Sequence, residues 1–472
     1  MSVSANTFDM TTSRRHRSGI ADQSGRRPQN GFALFAMLVL FALAPLPFAS
    51  ARPFLWALWA SYVGVAALVF FAWQFRSGTN LRANPLDFRV PTVLVVLTIA
   101  TLIAQLLPFG SFPIVQSEQQ LLTSAQISVA PGQTLLMLAR QLTYALVAVL
   151  VMQIAASDKR RIVLLHGLIA IALAYGAYGL IALRLGDTIL GLPKWAYEGS
   201  ITGTFVNRNS FATFVGMGAI LTLAHGCATI RRQAERHRDD GLINGLFSQV
   251  ILYAAAYVFL ILVVVGTQSR MGLFATLTGS AVVVVFTLLS IRRLSLILLI
   301  APLALATLIG LFWMLGGGLL ERIESERFDS SSRWQLYEQI QSLIALRPWT
   351  GFGGGTFEIA FPIVHELPLT PEVTWNLAHN TYLALWSELG LIGGSFLILA
   401  IAYIGVRITL SLWRNEGSWT AQIAALAVIV QLAIHSLVDF SLEIPANTLV
   451  FVAIVATGLA TTLKTSQRSA PN

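Results

Sequence analysis

Long apolar runs separated by short polar breaks occupy this chain from residue 31 to residue 464. A helix that crosses a bilayer needs roughly 20 mostly apolar residues. Twelve runs meet that need, near 31–50, 54–75, 90–108, 133–155, 161–184, 208–230, 246–266, 272–290, 295–315, 389–413, 418–438 and 446–464. The pattern predicts an all-α integral membrane protein of about 12 transmembrane helices, because helices satisfy their own backbone groups in lipid. The longest polar interruption, 317–388, forms one large loop between the ninth and tenth spans. The chain therefore divides into a lead at 1–30, amino-terminal membrane helices at 31–200, a region at 201–464 holding most of the unusual polar segments, and a tail at 465–472.

Composition supports this division. The 472 residues are 55% hydrophobic and 11% charged, with mean hydropathy +0.70, whereas soluble domains carry about 25% charged residues. The lead is rich in Ser, Arg and Gly and reads as a disordered tail.

Basic residues set the orientation. With the amino terminus inside, the inner segments hold 21 of the 31 Lys and Arg, the outer segments hold nine, and Arg140 lies within a span. Short loops such as 158–161 (DKRR) and 231–238 (RRQAERHR) decide the assignment. Both termini are expected in the cytoplasm and the 317–388 loop outside. The net charge of +9 then reflects loops held against anionic inner-leaflet lipid and calls for no nucleic acid. Ala49-Ser50-Ala51 follows an apolar run and a basic lead, as a signal-peptide cleavage site would. The long lead favours a retained first span.

Cys227, the single cysteine, lies in a span, so no intramolecular disulfide orders the loop. There is no HExxH, CxxC or Asp-x-Asp pattern, and the chemistry is expected to need no metal and no cofactor. No internal repeat or matched pair of broken spans suggests a transporter.

Four polar segments share the outer side. In 203–212 (GTFVNRNSFA), Asn207, Arg208 and Asn209 stand at a helix start, where a guanidinium and backbone N–H groups can seat phosphate oxygens. A capped helix with Arg208 snorkelling to the interface reads the same residues equally well. In 267–270 (TQSR), Arg270 occupies a tight turn, which alone reads as an ordinary hairpin cation.

The large loop is the third segment. Gly316-Gly317-Gly318 ends the ninth span, and Asp329 with three serines offers a helix cap. Trp334, Tyr337, Ile340 and Ile344 then follow at helical spacing up to Arg347-Pro348, predicting an amphipathic helix with Arg333 in its first turn. A cation there opposes the helix dipole, which hints at an anionic ligand. The run 351–357 (GFGGGTF) permits close backbone approach and is a weak phosphate signal.

The fourth segment pairs His379-Asn380 with Glu388, and His435 with Asp439. The latter two are four apart, on one face of the eleventh span. A lone histidine is more often a structural donor than a base. His379, however, re-enters the membrane beside Asn380 and opposite the arginines, where a titratable group serves interfacial chemistry.

These segments, with 332–334 (SRW), 347–357 (RPWTGFGGGTF), 379–394 (HNTYLALWSELGLIGG) and 435–447 (HSLVDFSLEIPAN), resemble the O-antigen ligase and polymerase superfamily. The likeness covers spans six to twelve, and the first five spans match in hydropathy alone. It implies a C-type glycosyltransferase-like helical fold in the bacterial inner membrane and an inverting, metal-independent transferase with a periplasmic active site. The donor would be an undecaprenyl diphosphate-linked glycan, and the acceptor lipid A–core or a growing polysaccharide. By the same resemblance, Arg208, Arg270 and Arg333 would bind the diphosphate and His379 would be the general base. Asn207, Asn209, Asn380, Glu388, His435 and Asp439 would support them. Ligase, polymerase and protein-glycosylating members share this pattern. A flippase for the same lipid would instead place its long connection inside and bury charges at mid-membrane.

Overall fold

A computed structural model describes residues 27–110, 112–116, 121–236, 243–291, 319–372 and 374–463. Helices α1 (Pro28–Leu43), α2 (Pro53–Arg76), α3 (Arg89–Leu106), α4 (Pro131–Ala155) and α5 (Asp158–Arg184) come first. Then follow α6 (Arg208–Arg236), α7 (Ile243–Gly266), α8 (Arg270–Ser290), α9 (Leu319–Leu346), α10 (Thr381–Trp413), α11 (Trp419–His435) and α12 (Pro445–Ala460). Among the described residues, eight helices are long and apolar enough to cross a membrane. The apolar helices α1, α11 and α12, of 16, 17 and 16 residues, are shorter. The expected span at 295–315, Gly316 to Gly318 and the chain at 1–26 and 465–472 lie outside the described residues.

The fold is mostly helical, consistent with the all-α expectation, and adds two short strand pairs. Phe112–Gln116 (β1) pairs antiparallel with Leu121–Ser124 (β2), and Thr188–Ile189 (β3) pairs with Leu192–Pro193 (β4). Both strand pairs lie in connections between helices, where short antiparallel strands near in sequence can pair locally.

Helix α6 is the axis of the bundle. In its apolar window 94% of residues are buried, against 17% for α7, because α5, α7, α8 and α11 pack around it. Lipid is as apolar as a side chain, so close contact between small residues, rather than hydrophobicity, brings such helices together. Gly216 shows this, since a Cβ there would come within 2.2 Å of Thr276 Oγ1. Helix α1 belongs to the same core through buried Met37, Leu40 and Phe41. Ala49 and Ser50 are buried too, with Trp59 Nε1 donating to Ser50 Oγ at 2.7 Å.

The large loop carries a core of its own. Leu336, Ile340 and Ile344 of α9 pack with Phe357, Phe361, Leu369, Ala378 and Ala384. Two sequence expectations are corrected here. Helix α9 starts at Leu319, so Asp329 and the serines lie within it and Arg333 is not in a first turn. Trp334 is 71% exposed, and the buried stripe is Leu336, Ile340, Leu343 and Ile344. The tenth apolar helix likewise begins at Thr381 rather than near 389, with a break in helical geometry at Gly390.

Candidate functional site

The site grows from the first turns of α6 and α8. Asn207 Oδ1 accepts from the backbone N–H groups of Asn209 (2.7 Å) and Ser210 (3.1 Å), which starts α6 at Arg208. Ser269 Oγ accepts from Gly272 N–H at 3.2 Å and starts α8 at Arg270. Two expected phosphate binders are thus each the first residue of a helix. Like charge at the positive end of a helix dipole is unfavourable without an anion. Arg208 lies over the Tyr197 ring at 5.3 Å, and among the described residues its buried Nε has no hydrogen-bond partner.

A hydrogen-bonded chain fixes the spacing of these two starts. Ser269 Oγ donates to Asn209 Oδ1 (2.8 Å), and Asn209 Nδ2 donates to Asp439 Oδ1 (3.3 Å). Asp439 Oδ2 accepts from Ser441 Oγ. The Thr213 hydroxyl has two acceptors, Ser441 Oγ at 3.0 Å and the Asn209 carbonyl at 3.1 Å. The Thr213 hydroxyl also hydrogen-bonds His435 Nδ1 at 2.6 Å, in a direction set by the imidazole tautomer. His435 and Asp439 do meet in one network, although the expected shared helical face is corrected. Helix α11 ends at His435, and Asp439 lies beyond the turn at 436–438, reaching His435 through Thr213 and Ser441.

His379 stands at the mouth of the large loop. Its φ of 51° is a left-handed conformation that costs a non-glycine residue about 1–3 kcal/mol. Several contacts hold it there. Tyr337 OH donates to its carbonyl at 2.9 Å, and the ring meets Phe440 edge-on at 5.0 Å between centroids. Asn380 caps α10 through Oδ1, while its Nδ2 donates to the Leu437 carbonyl at 2.9 Å. Arg333, one turn before Tyr337 on α9, is close enough to act electrostatically on His435.

Glu388 belongs elsewhere. It is buried on α10 and accepts from Phe357 N–H at 3.3 Å, which ties it to the glycine-rich segment rather than to His379. That segment is not an open phosphate cradle. Gly351, Phe352, Gly353 and Gly354 donate their amides to Arg347, Ser387, Glu388 and Gln105. Its glycines serve close approach: a Cβ on Gly351, at φ +63°, would lie 2.3 Å from the Glu388 carbonyl oxygen. Arg347 also works structurally, donating to the Ile127 carbonyl at 2.9 Å.

Two charged groups beside the site have clear partners. Lys194 pairs with Asp187, whose second oxygen accepts from Gly199 N–H at 2.7 Å. Partial burial works to raise the Asp187 carboxyl, but these donors hold it below its ordinary range. Arg140 lies 4.2 Å over the Trp56 ring and reaches the Glu443 carbonyl at 3.4 Å. It joins α2, α4 and the turn before α12. Burial, then the neighbouring Glu388, push the Glu443 carboxyl up to about 8.

Tyr197, Thr213, Ser269, Phe440 and Ser441 complete the site without being singled out by the sequence, as does Tyr337, which the sequence marks only as part of a helix. Ser441 sat unremarked within a quoted motif, and nothing in the pattern marked Tyr197.

Residues 255–398 match the family model of the O-antigen ligases. This supports the O-antigen ligase and polymerase superfamily for the chain. The matched stretch runs from α7 into α10 and includes Arg270, Arg333, His379 and Glu388. Arg208, His435 and Asp439 lie outside it and join those residues only in the fold. The family is broadly one of glycosyltransferase-like enzymes of the membrane that act on lipid-linked glycans. No curated protein matches this chain.

Proposed function

We propose that this O-antigen ligase relative transfers a glycan from an undecaprenyl diphosphate carrier to an acceptor hydroxyl at the periplasmic face, by ligation to lipid A–core. The observation that carries the reading is the pair of guanidiniums, Arg208 and Arg270, at the first positions of α6 and α8, joined by the Ser269–Asn209 hydrogen bond. Two helix amino termini and two forked cations make a strong seat for a diphosphate. Arg333 adds a third cation from the loop.

In the reaction, the acceptor hydroxyl gives its proton to His379 as its oxygen attacks the anomeric carbon. The new C–O bond forms opposite the breaking bond to phosphate, so the configuration inverts, and undecaprenyl diphosphate leaves with the electron pair. Charge developing on that diphosphate meets fixed cations and dipoles that need no reorganisation. The carrier glycan is already activated, so no nucleotide is required. Asp439, Ser441, Thr213 and His435 hold the two helix starts in register, which positions the cations.

Polysaccharide polymerisation is the second reading, because it uses the same donor site and differs only in the acceptor. Purified protein reconstituted with carrier-linked glycan is offered lipid A–core, carrier-linked glycan or protein as acceptor. Product on lipid A–core supports ligation, and elongation of the carrier-linked chain supports polymerisation. Movement of the donor across liposomes with no new glycosidic bond would overturn both in favour of transport.

A further inference from the structure

A second collection of arginines lies at the opposite end of α5 from the Arg208 site. Arg27 opens α1, Arg82 sits in the connection after α2, and Arg160 is in the first turn of α5. Backbone ties bring them together. Arg27 Nη1 donates to the Asn80 carbonyl at 2.6 Å, and Gln29 Nε2 to Thr79 Oγ1 at 3.1 Å. At the end of α4, Gln153 Oε1 accepts from Arg82 N–H at 2.9 Å, and its carbonyl accepts from Asn30 Nδ2 at 3.1 Å. Arg27 and Arg160, both positive, act on Arg82 and, after burial, lower its proton affinity. The nearby acid, Asp158, is committed to Arg161 at 2.9 Å. Among the described residues, Nε and Nη2 of Arg160 are buried with no hydrogen-bond partner. Buried guanidinium donors without a partner, as on Arg160, are costly, and an anion would satisfy them.

We propose that Arg27, Arg82 and Arg160 bind the headgroup phosphate of an anionic phospholipid. Free phosphate shares that chemistry, but the surroundings suit a lipid. Phe75, Leu86, Ile162 and Val163 flank the three arginines in sequence and are 88%, 66%, 51% and 50% exposed, offering apolar surface to acyl chains. The seat joins α1, the connection after α2 and the α4–α5 turn, so a bound lipid would brace the amino-terminal helices.

The test uses the full chain purified in a neutral detergent. Phosphatidylglycerol, phosphatidylcholine and inorganic phosphate are each titrated while the melting temperature and, by native mass spectrometry, the bound lipid are followed. Phosphatidylglycerol is expected to raise the melting temperature and remain bound, with affinity falling about 30-fold in Arg82→Gln/Arg160→Gln, at about 1 kcal/mol for each basic residue near a lipid surface. Arg76→Gln, at an exposed cation nearby, should bind as the wild type does. Equal binding by the double variant would overturn the proposal, as would an equal stabilisation by phosphate. If the double variant does not fold, the wild-type titration decides, because indistinguishable phosphatidylglycerol and phosphatidylcholine would overturn the site.

Discussion

Two groups of arginines stand at opposite ends of this bundle and differ in what surrounds them. Arg208 and Arg270 adjoin Asn209 and Ser269 in sequence, and these two belong to a network with a carboxyl, two further hydroxyls and an imidazole. Arg27 donates to a backbone carbonyl, the backbone N–H of Arg82 donates to an amide side chain, and two buried Arg160 nitrogens have no hydrogen-bond partner among the described residues. Cationic charge alone can capture an anion. Chemistry needs, in addition, a proton acceptor and a fixed geometry, and the proposed reaction assigns those to the first group.

Variants that break one side of this contrast should leave the other intact. His379→Gln should cost the most, about 10²–10⁴-fold in transfer, the usual contribution of a positioned base. Carrier binding by this variant should persist; near-normal turnover with purified donor and acceptor would remove His379 from the role. Arg208→Lys and Arg333→Lys should each lower transfer by about tenfold or more, since a point charge cannot reproduce a bidentate fork. Phosphatidylglycerol retention should not change in either.

Gly351→Ala sharpens the contrast through the scaffold. The added Cβ would collide with the Glu388 carbonyl at a left-handed φ, costing about 1–3 kcal/mol. A lowered melting temperature together with reduced transfer would tie the loop's docking on α10 to activity.

The remaining effect concerns pH and bears on stability alone. Glu443 keeps its proton in the fold up to about 8, against an ordinary 4.5. The unfolded chain ionises first, so stability is lost progressively as pH rises from about 4.5 towards 8. Glu443→Gln should therefore match the wild type near pH 4.5 and melt at a higher temperature above pH 8. A constant difference across that range would show that Glu443 does not titrate this way.

Much of the framework was legible because lipid imposes a one-dimensional rule. Apolar length marks a helix, and of the twelve predicted runs all but 295–315, outside the described residues, coincide with helices. Local rules were weaker wherever tertiary contacts compete with them. The serines after Asp329 look like a cap, yet α9 runs through them. Trp334 has the spacing of a core residue and is exposed, because the loop packs on Leu336 and Ile340 instead. The glycine run suggested phosphate, but its amides are taken by Ser387, Glu388 and Gln105.

The sequence by itself determined a multi-pass helical protein with the marks of the O-antigen ligase superfamily, since hydropathy and motif order are properties of the chain. Only the tertiary structure decided which polar residues meet. Asn209 and Asp439 are 230 positions apart and Thr213 and His435 are 222 apart, and no local pattern encodes such pairs. They form because a buried polar group must find a partner, and the packing of α6, α8 and α11 determines which one is within reach.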